Sequence, residues 1–152
     1  MKRLDLPQAK QEILHRLRTL RPDSPRLWGM MTCAQMICHL SDSFRGIMGE
    51  KPSPLLPGYF ARKFIKWYAL RLPLRWPKGV PTRPEFDQRI GGTKPTDFSK
   101  DLEELLILIE KFLTYSRHSR FQPHPIFLEM TEEEWMRWAY LHLDHHLRQF
   151  GA

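Results

Sequence analysis

Between Lys51 and Pro84 the chain contains no Asp or Glu, yet it contains eight Lys or Arg. Other things are scarce too. There are only two cysteines, Cys33 and Cys38, and no C-x-x-C pair, so a structural zinc knuckle is excluded. Five positions apart, the two thiols fall on different faces of a helix, which argues against a local disulfide and for buried, reduced side chains. No apolar run approaches the roughly 18–20 residues that a membrane span needs. The first residues, "MKRLDLPQAKQEIL", lack the apolar block of a signal peptide. The expectation is a cytoplasmic protein without a transmembrane segment. No stretch alternates with period two, and no repeat or second domain is visible, so residues 1–152 are read as one domain.

What is present is helical. Ile13, Leu14, Leu17 and Leu20 recur at helical spacing after Pro7, a good first-turn residue. Thr32 with Gln35, and Thr131 with Glu134, have the spacing of capping boxes. They open predicted helices that extend to Gly49 and Phe150. Leu102, Leu105, Leu106, Ile109, Phe112 and Leu113 form one stripe of a helix predicted over 96–117. Gly58–Leu72 suits a shorter helix, and the proline-rich 73–92 segment a long connection. These elements predict an all-α protein, a four-helix bundle with a long crossover between its second and third main helices.

The histidines carry the chemistry. On the helix that ends in "YLHLDHHLRQF" (140–150), Trp135, Trp138, His142, His146 (or His145) and Gln149 share one stripe at about 100° per residue. A buried imidazole must satisfy both ring nitrogens and resists charge. Two of them one turn apart can share a metal ion, given a third ligand from another helix. His39, flanked by Met36, Ile37, Leu40 and Phe44, is the best third candidate. A core histidine bonded to a carbonyl is the alternative for each. Gln149 could bond a ligand or a bound substrate or cofactor. Asp144 reads as a solvated or interhelical residue, Asp42 as an exposed helix charge or a partner for His39, and His124 as a turn residue between two prolines. Neither thiol is marked as activated.

The stretches "WGMMTCAQMICHLSDSF" and "HPIFLEMTEEEWMRWAYLHLDHHLRQF" resemble the DinB/YfiT-like superfamily of metal-binding bundles, most closely a DinB-related branch of unknown function. The resemblance implies an up-down-down-up bundle and the metal ligands His39, His142 and His146. In the better-known relatives the metal serves thiol-dependent isomerases and S-transferases. By that likeness the protein is a metal-dependent thiol transferase or hydrolase acting on a small molecule. Its cofactors would be a divalent ion (zinc, nickel or iron) and a low-molecular-weight thiol.

Three neutral ligands leave the ion's charge uncompensated, and the net charge is +7, so an anionic small-molecule substrate is expected. Two other readings stand beside this one: a metal-binding or structural bundle without catalysis, and a basic surface for nucleic acid or anionic membrane. The stretch "YFARKFIKWYALRLPLRWPK" prompts the latter, although no nucleic-acid motif is present. A homodimer is compatible with all of them. The catalytic residues are left unassigned. Phe60, Phe64 and Trp67, four and three apart, are expected to point inward.

Overall fold

A computed structural model describes residues 1–54, 59–72, 74–115 and 121–152, without the side chains of 59–62. The described residues form five α-helices and no strand: α1 (Pro7–Thr19), α2 (Cys33–Ile47), α3 (Tyr59–Arg71), α4 (Phe98–Tyr115) and α5 (Glu132–Gln149). None is long and apolar enough to cross a membrane. A 3-10 turn, Pro84–Phe86, interrupts the crossover between α3 and α4.

Local chemistry sets the helix starts. Pro7 stands at the opening of α1, where its missing N–H is no loss. The Thr32 hydroxyl accepts from Gln35 N at 3.2 Å, and Gln35 returns the bond to Thr32 N at 2.9 Å. Thr131 and Glu134 repeat this at 3.2 and 3.0 Å. Both capping boxes therefore form as the sequence predicts. They start the two helices that carry the histidines, satisfying amide donors that a helix start leaves without partners.

Packing follows the apolar stripes. α2 lies against α4, and α1 against α5. Ala9, Ile13 and Leu17 of α1, Leu105, Leu108, Ile109 and Phe112 of α4, and Leu143 and Leu147 of α5 are buried. At the centre the Phe44 ring meets Phe112 edge-on at 5.2 Å and Trp138 at 6.2 Å. Each such ring contributes about 1.5–3 kcal/mol by leaving water.

A buried carboxylate on α2 helps fasten the crossover. Asp42 is fully buried, which corrects the expectation of an exposed charge. Its carboxylate accepts from Thr93 N at 2.8 Å, Thr93 Oγ1 at 2.7 Å, Lys51 Nζ at 3.0 Å and Gln88 Nε2 at 3.3 Å. Burial alone would push this carboxyl up; the Thr93 and Lys51 bonds outweigh it and hold the pKa below the ordinary value. Beside it, a Cβ on Gly46 would lie 2.9 Å from the Phe86 ring, so only glycine lets that ring rest on α2.

The outward face of α3 departs from expectation. Phe64 and Trp67 are 67 % and 52 % exposed, so these two rings do not point inward; the Phe60 side chain lies outside the described residues. The face of α3 that meets the protein is held instead by Leu70, which is buried, and by Lys66. Lys66 Nζ bonds Glu134 Oε2 at 3.0 Å and the Glu129 carbonyl at 2.8 Å. An ion pair and one aliphatic side chain replace the aromatic anchor that the spacing suggested.

Candidate metal centre

His39 stands midway along α2, and His142 and His146 stand one turn apart on α5. All three are buried, with 7 %, 9 % and 7 % of their surfaces exposed. Their Nε2 atoms turn toward one another: His142 Nε2 lies 3.3 Å from His39 Nε2 and 3.1 Å from His146 Nε2. One potential ligand atom from each falls within 4.8 Å of the others. Nitrogens bound at about 2.0–2.1 Å to one ion at tetrahedral angles lie roughly 3.3 Å apart, so the spacing matches a shared ion.

The far sides of the rings fix the tautomers. His39 Nδ1 is 2.9 Å from the Phe86 carbonyl oxygen, which can only accept, so the proton sits on Nδ1 and Nε2 keeps its lone pair. His146 Nδ1 is 2.6 Å from Gln149 Oε1, with the same consequence. Two bare nitrogens thus face His142 Nε2, and a single proton there can satisfy only one of them. His142 Nδ1 is itself buried without a hydrogen-bond partner among the described residues. Hydrogen bonding within the cluster therefore leaves one of the two facing lone pairs without a donor, whereas an ion could accept all three Nε2 lone pairs; the His142 Nδ1 is unpartnered in either case. Donors anchored from behind are the usual support of metal-binding imidazoles.

The chain belongs to the DUF1569 family. That family's model, described as a protein of unknown function, matches residues 2–152. No curated protein and no solved structure matches the chain.

The electrostatics of this DUF1569 member keep the cluster neutral. Burial drives the pKa of His142 and His146 well below the ordinary imidazole value, and the neighbouring imidazoles add to the effect. Burial lowers His39 as well, partly opposed by its bond to the Phe86 carbonyl. Near pH 7 the three imidazoles are neutral, the form that can bind an ion.

The remaining residues singled out in the sequence have separate places. His145 turns away from the cluster, between Trp28 at 4.7 Å and Trp76 at 6.1 Å, and its burial brings its pKa down to about 4. Gln149 is buried behind His146. Its backbone carbonyl accepts from Leu27 N at 2.6 Å. A Cβ on Gly29, where φ is +85°, would meet its side-chain amide at 2.6 Å. The "WG" pair of the 21–31 loop therefore packs Trp28 on His145 and leaves room for Gln149. Asp144 joins α5 to α1 through Arg16 at 2.8 Å, which is the interhelical one of the two roles its sequence position allows. His124 is buried in its turn, its Nδ1 accepting from Ile126 N at 3.1 Å and Phe127 N at 3.0 Å. Burial raises the Cys33 and Cys38 thiols to about 11 and 12, so neither is a ready nucleophile.

Two contributors carried no signal in the sequence. The Phe86 carbonyl is one, since a backbone acceptor has no residue signature. Trp76 is the other. Its indole N–H bonds the Ala69 carbonyl at 3.0 Å, and its ring lies 6.1 Å from His142 and 6.3 Å from Phe127. The crossover thereby lays an aromatic lid beside the histidines.

Proposed function

We propose that the protein holds a divalent metal ion through His39, His142 and His146, and that the centre serves a thiol-dependent transfer or hydrolysis on a small anionic molecule. The observation that carries this reading is the convergence of three Nε2 lone pairs, two of them fixed by acceptors behind their rings. The all-nitrogen donor set suits zinc, nickel or iron. With the sequence likeness to the DinB/YfiT-like superfamily, the same convergence supports arranging α1, α2, α4 and α5 as that superfamily's four-helix bundle.

Three protein ligands leave a coordination position for an exchangeable group, the arrangement found in catalytic rather than structural sites. An ion held there by His39, His142 and His146 would supply Lewis acidity, lowering the pKa of a water or thiol toward neutrality. The protein's own part is to position and to exclude water. His39 and His146 are held by Phe86 and Gln149, Trp76 and Trp138 wall the cluster, and burial keeps the imidazoles neutral. Transfer to an electrophile would form one sulfur–carbon bond, expel the leaving group and release the thiol proton.

The test has two separable parts. Metal analysis of untagged protein should find one ion per chain, lost in the His39→Ala/His142→Ala/His146→Ala variant. Turnover of a thiol with an electrophile should follow the metal content. Protein without a bound ion, even after reconstitution, would end the reading. Bound metal with no turnover across a panel of thiols and hydrolysable esters would leave a metal-stapled scaffold.

A further inference from the structure

α3 carries its aromatic residues on the side away from the protein. At about 100° per residue, Phe64, Trp67, Tyr68 and Arg71 fall on one stripe, opposite Lys66, Ala69 and Leu70. Leu70 and Lys66 make the inward contacts described above. On the outer stripe Phe64, Trp67 and Tyr68 are 67 %, 52 % and 44 % exposed, with Ile65 beside them at 44 %. The Phe64 and Trp67 rings lie 6.1 Å apart and form one patch, and Leu74 is also exposed beyond the helix end. Contiguous exposed apolar surface of this kind marks a site of interaction.

Charge decides what covers it. The patch lies within the 51–84 segment, with its eight basic and no acidic residues, in a chain of net charge +7. A second copy would bring a face of like charge against it. Single-stranded nucleic acid stacks its bases on rings set along a basic groove. Here the rings stand on the convex outer face of a helix, interleaved with the aliphatic Ile65. Aromatic and aliphatic side chains on one face, flanked by Lys and Arg, match a helix lying in the plane of a lipid headgroup layer. Trp and Tyr favour that depth. Anionic lipid supplies the complementary charge.

We propose that α3 docks the protein on an anionic lipid surface, inserting Phe64, Ile65, Trp67 and Tyr68 among the headgroups while the exposed Arg71 and Arg75 meet lipid phosphates. The proposal stands independently of the histidine cluster.

Co-sedimentation with vesicles tests it, using phosphatidylcholine alone and an equimolar mixture with phosphatidylglycerol, at about 50 mM and about 500 mM salt. The full chain should bind the anionic vesicles at low salt, bind them more weakly at high salt, and leave neutral vesicles largely unbound. The Phe64→Ser/Trp67→Ser variant should lose binding by about tenfold or more with an unchanged circular dichroism spectrum, because both side chains are exposed. Arg71→Glu/Arg75→Glu should weaken binding to anionic vesicles without removing any apolar group. No binding to anionic vesicles at low salt would overturn the proposal, as would undiminished binding by the Phe64/Trp67 variant. Capture of a single-stranded oligonucleotide without vesicle binding would reassign the face to nucleic acid. A dimer dispersed by the same variant, again without vesicle binding, would reassign it to self-association.

Discussion

His39 donates its Nδ1–H to the carbonyl oxygen of Phe86, 2.9 Å away and 47 positions along the chain. The bond ties a potential metal ligand on α2 to the crossover, and Asp42, one turn further along α2, fastens that same crossover through Thr93 and Gln88. The geometry of the histidine cluster thus depends on how firmly the crossover is held.

Asp42→Ala should be costly on that account. It strips a fully buried carboxylate from Lys51 and Thr93, and breaking a buried ion pair typically costs about 3–5 kcal/mol. Urea titration should show the loss, and metal titration should show weaker binding because Phe86 is no longer fixed behind His39. Wild-type metal affinity in a destabilised Asp42→Ala protein would separate crossover from site.

Gln149→Ala should leave the fold intact and weaken metal binding by about 10–100-fold, the usual effect of losing the group behind a ligating imidazole. Competition with a chromogenic chelator measures it. An unchanged affinity would show that the Gln149 bond does not orient His146.

His146→Ala should lose the ion while His145→Ala keeps it, since only His146 turns its Nε2 toward His142. Metal-to-protein ratios of the two purified variants decide this. Equal retention by both would mean that His145 can swing in as a replacement ligand.

Acid should destabilise the metal-free protein earlier than carboxylates alone would. The folded pKa values of His142 and His146 lie well below 6.5, and that of His145 lies at about 4. The unfolded chain therefore binds protons that the folded one does not, once the pH drops below about 6.5. Stability is at its full value above that pH and declines as pH falls, over a window reaching to about 4 for His145. Denaturation midpoints at a series of pH values from neutral downward should show the decline; a flat profile over that window would show that the imidazoles protonate without unfolding the protein.

Gly29→Ala should cost about 1–3 kcal/mol, because a non-glycine residue is strained at φ +85° and the new methyl would press on the Gln149 amide. Thermal melts measure the cost. An unchanged melting temperature would mean the loop shifts freely, in which case its contact with Gln149 constrains nothing.

The helix starts were legible in the sequence because capping is local: a Thr and a Glu or Gln three residues on contain the whole interaction. The histidine stripe was legible for a similar reason, since helical spacing dictates which side chains share a face. The burial of Asp42 is not legible because its partners, Thr93, Gln88 and Lys51, arrive from beyond α2, and nothing near Asp42 announces them. The outward turn of Phe64 and Trp67 is not legible because spacing defines a stripe but not the direction in which it points. That direction was set by Lys66 finding Glu134 on α5.

The distribution of the cluster along the chain has a consequence for biogenesis. His39, the Phe86 carbonyl that fixes it, and the His142–His146 pair with Gln149 come from three widely separated segments. A growing chain presents the first of them more than a hundred residues before the last has been made. A chain that lacks α5 cannot assemble the three nitrogens; until α5 arrives His39 can have the Phe86 carbonyl behind it but no imidazole in front. Assembly of the cluster therefore follows the synthesis and docking of α5, and an ion would be taken up after that step rather than serving as the template around which the first helices gather.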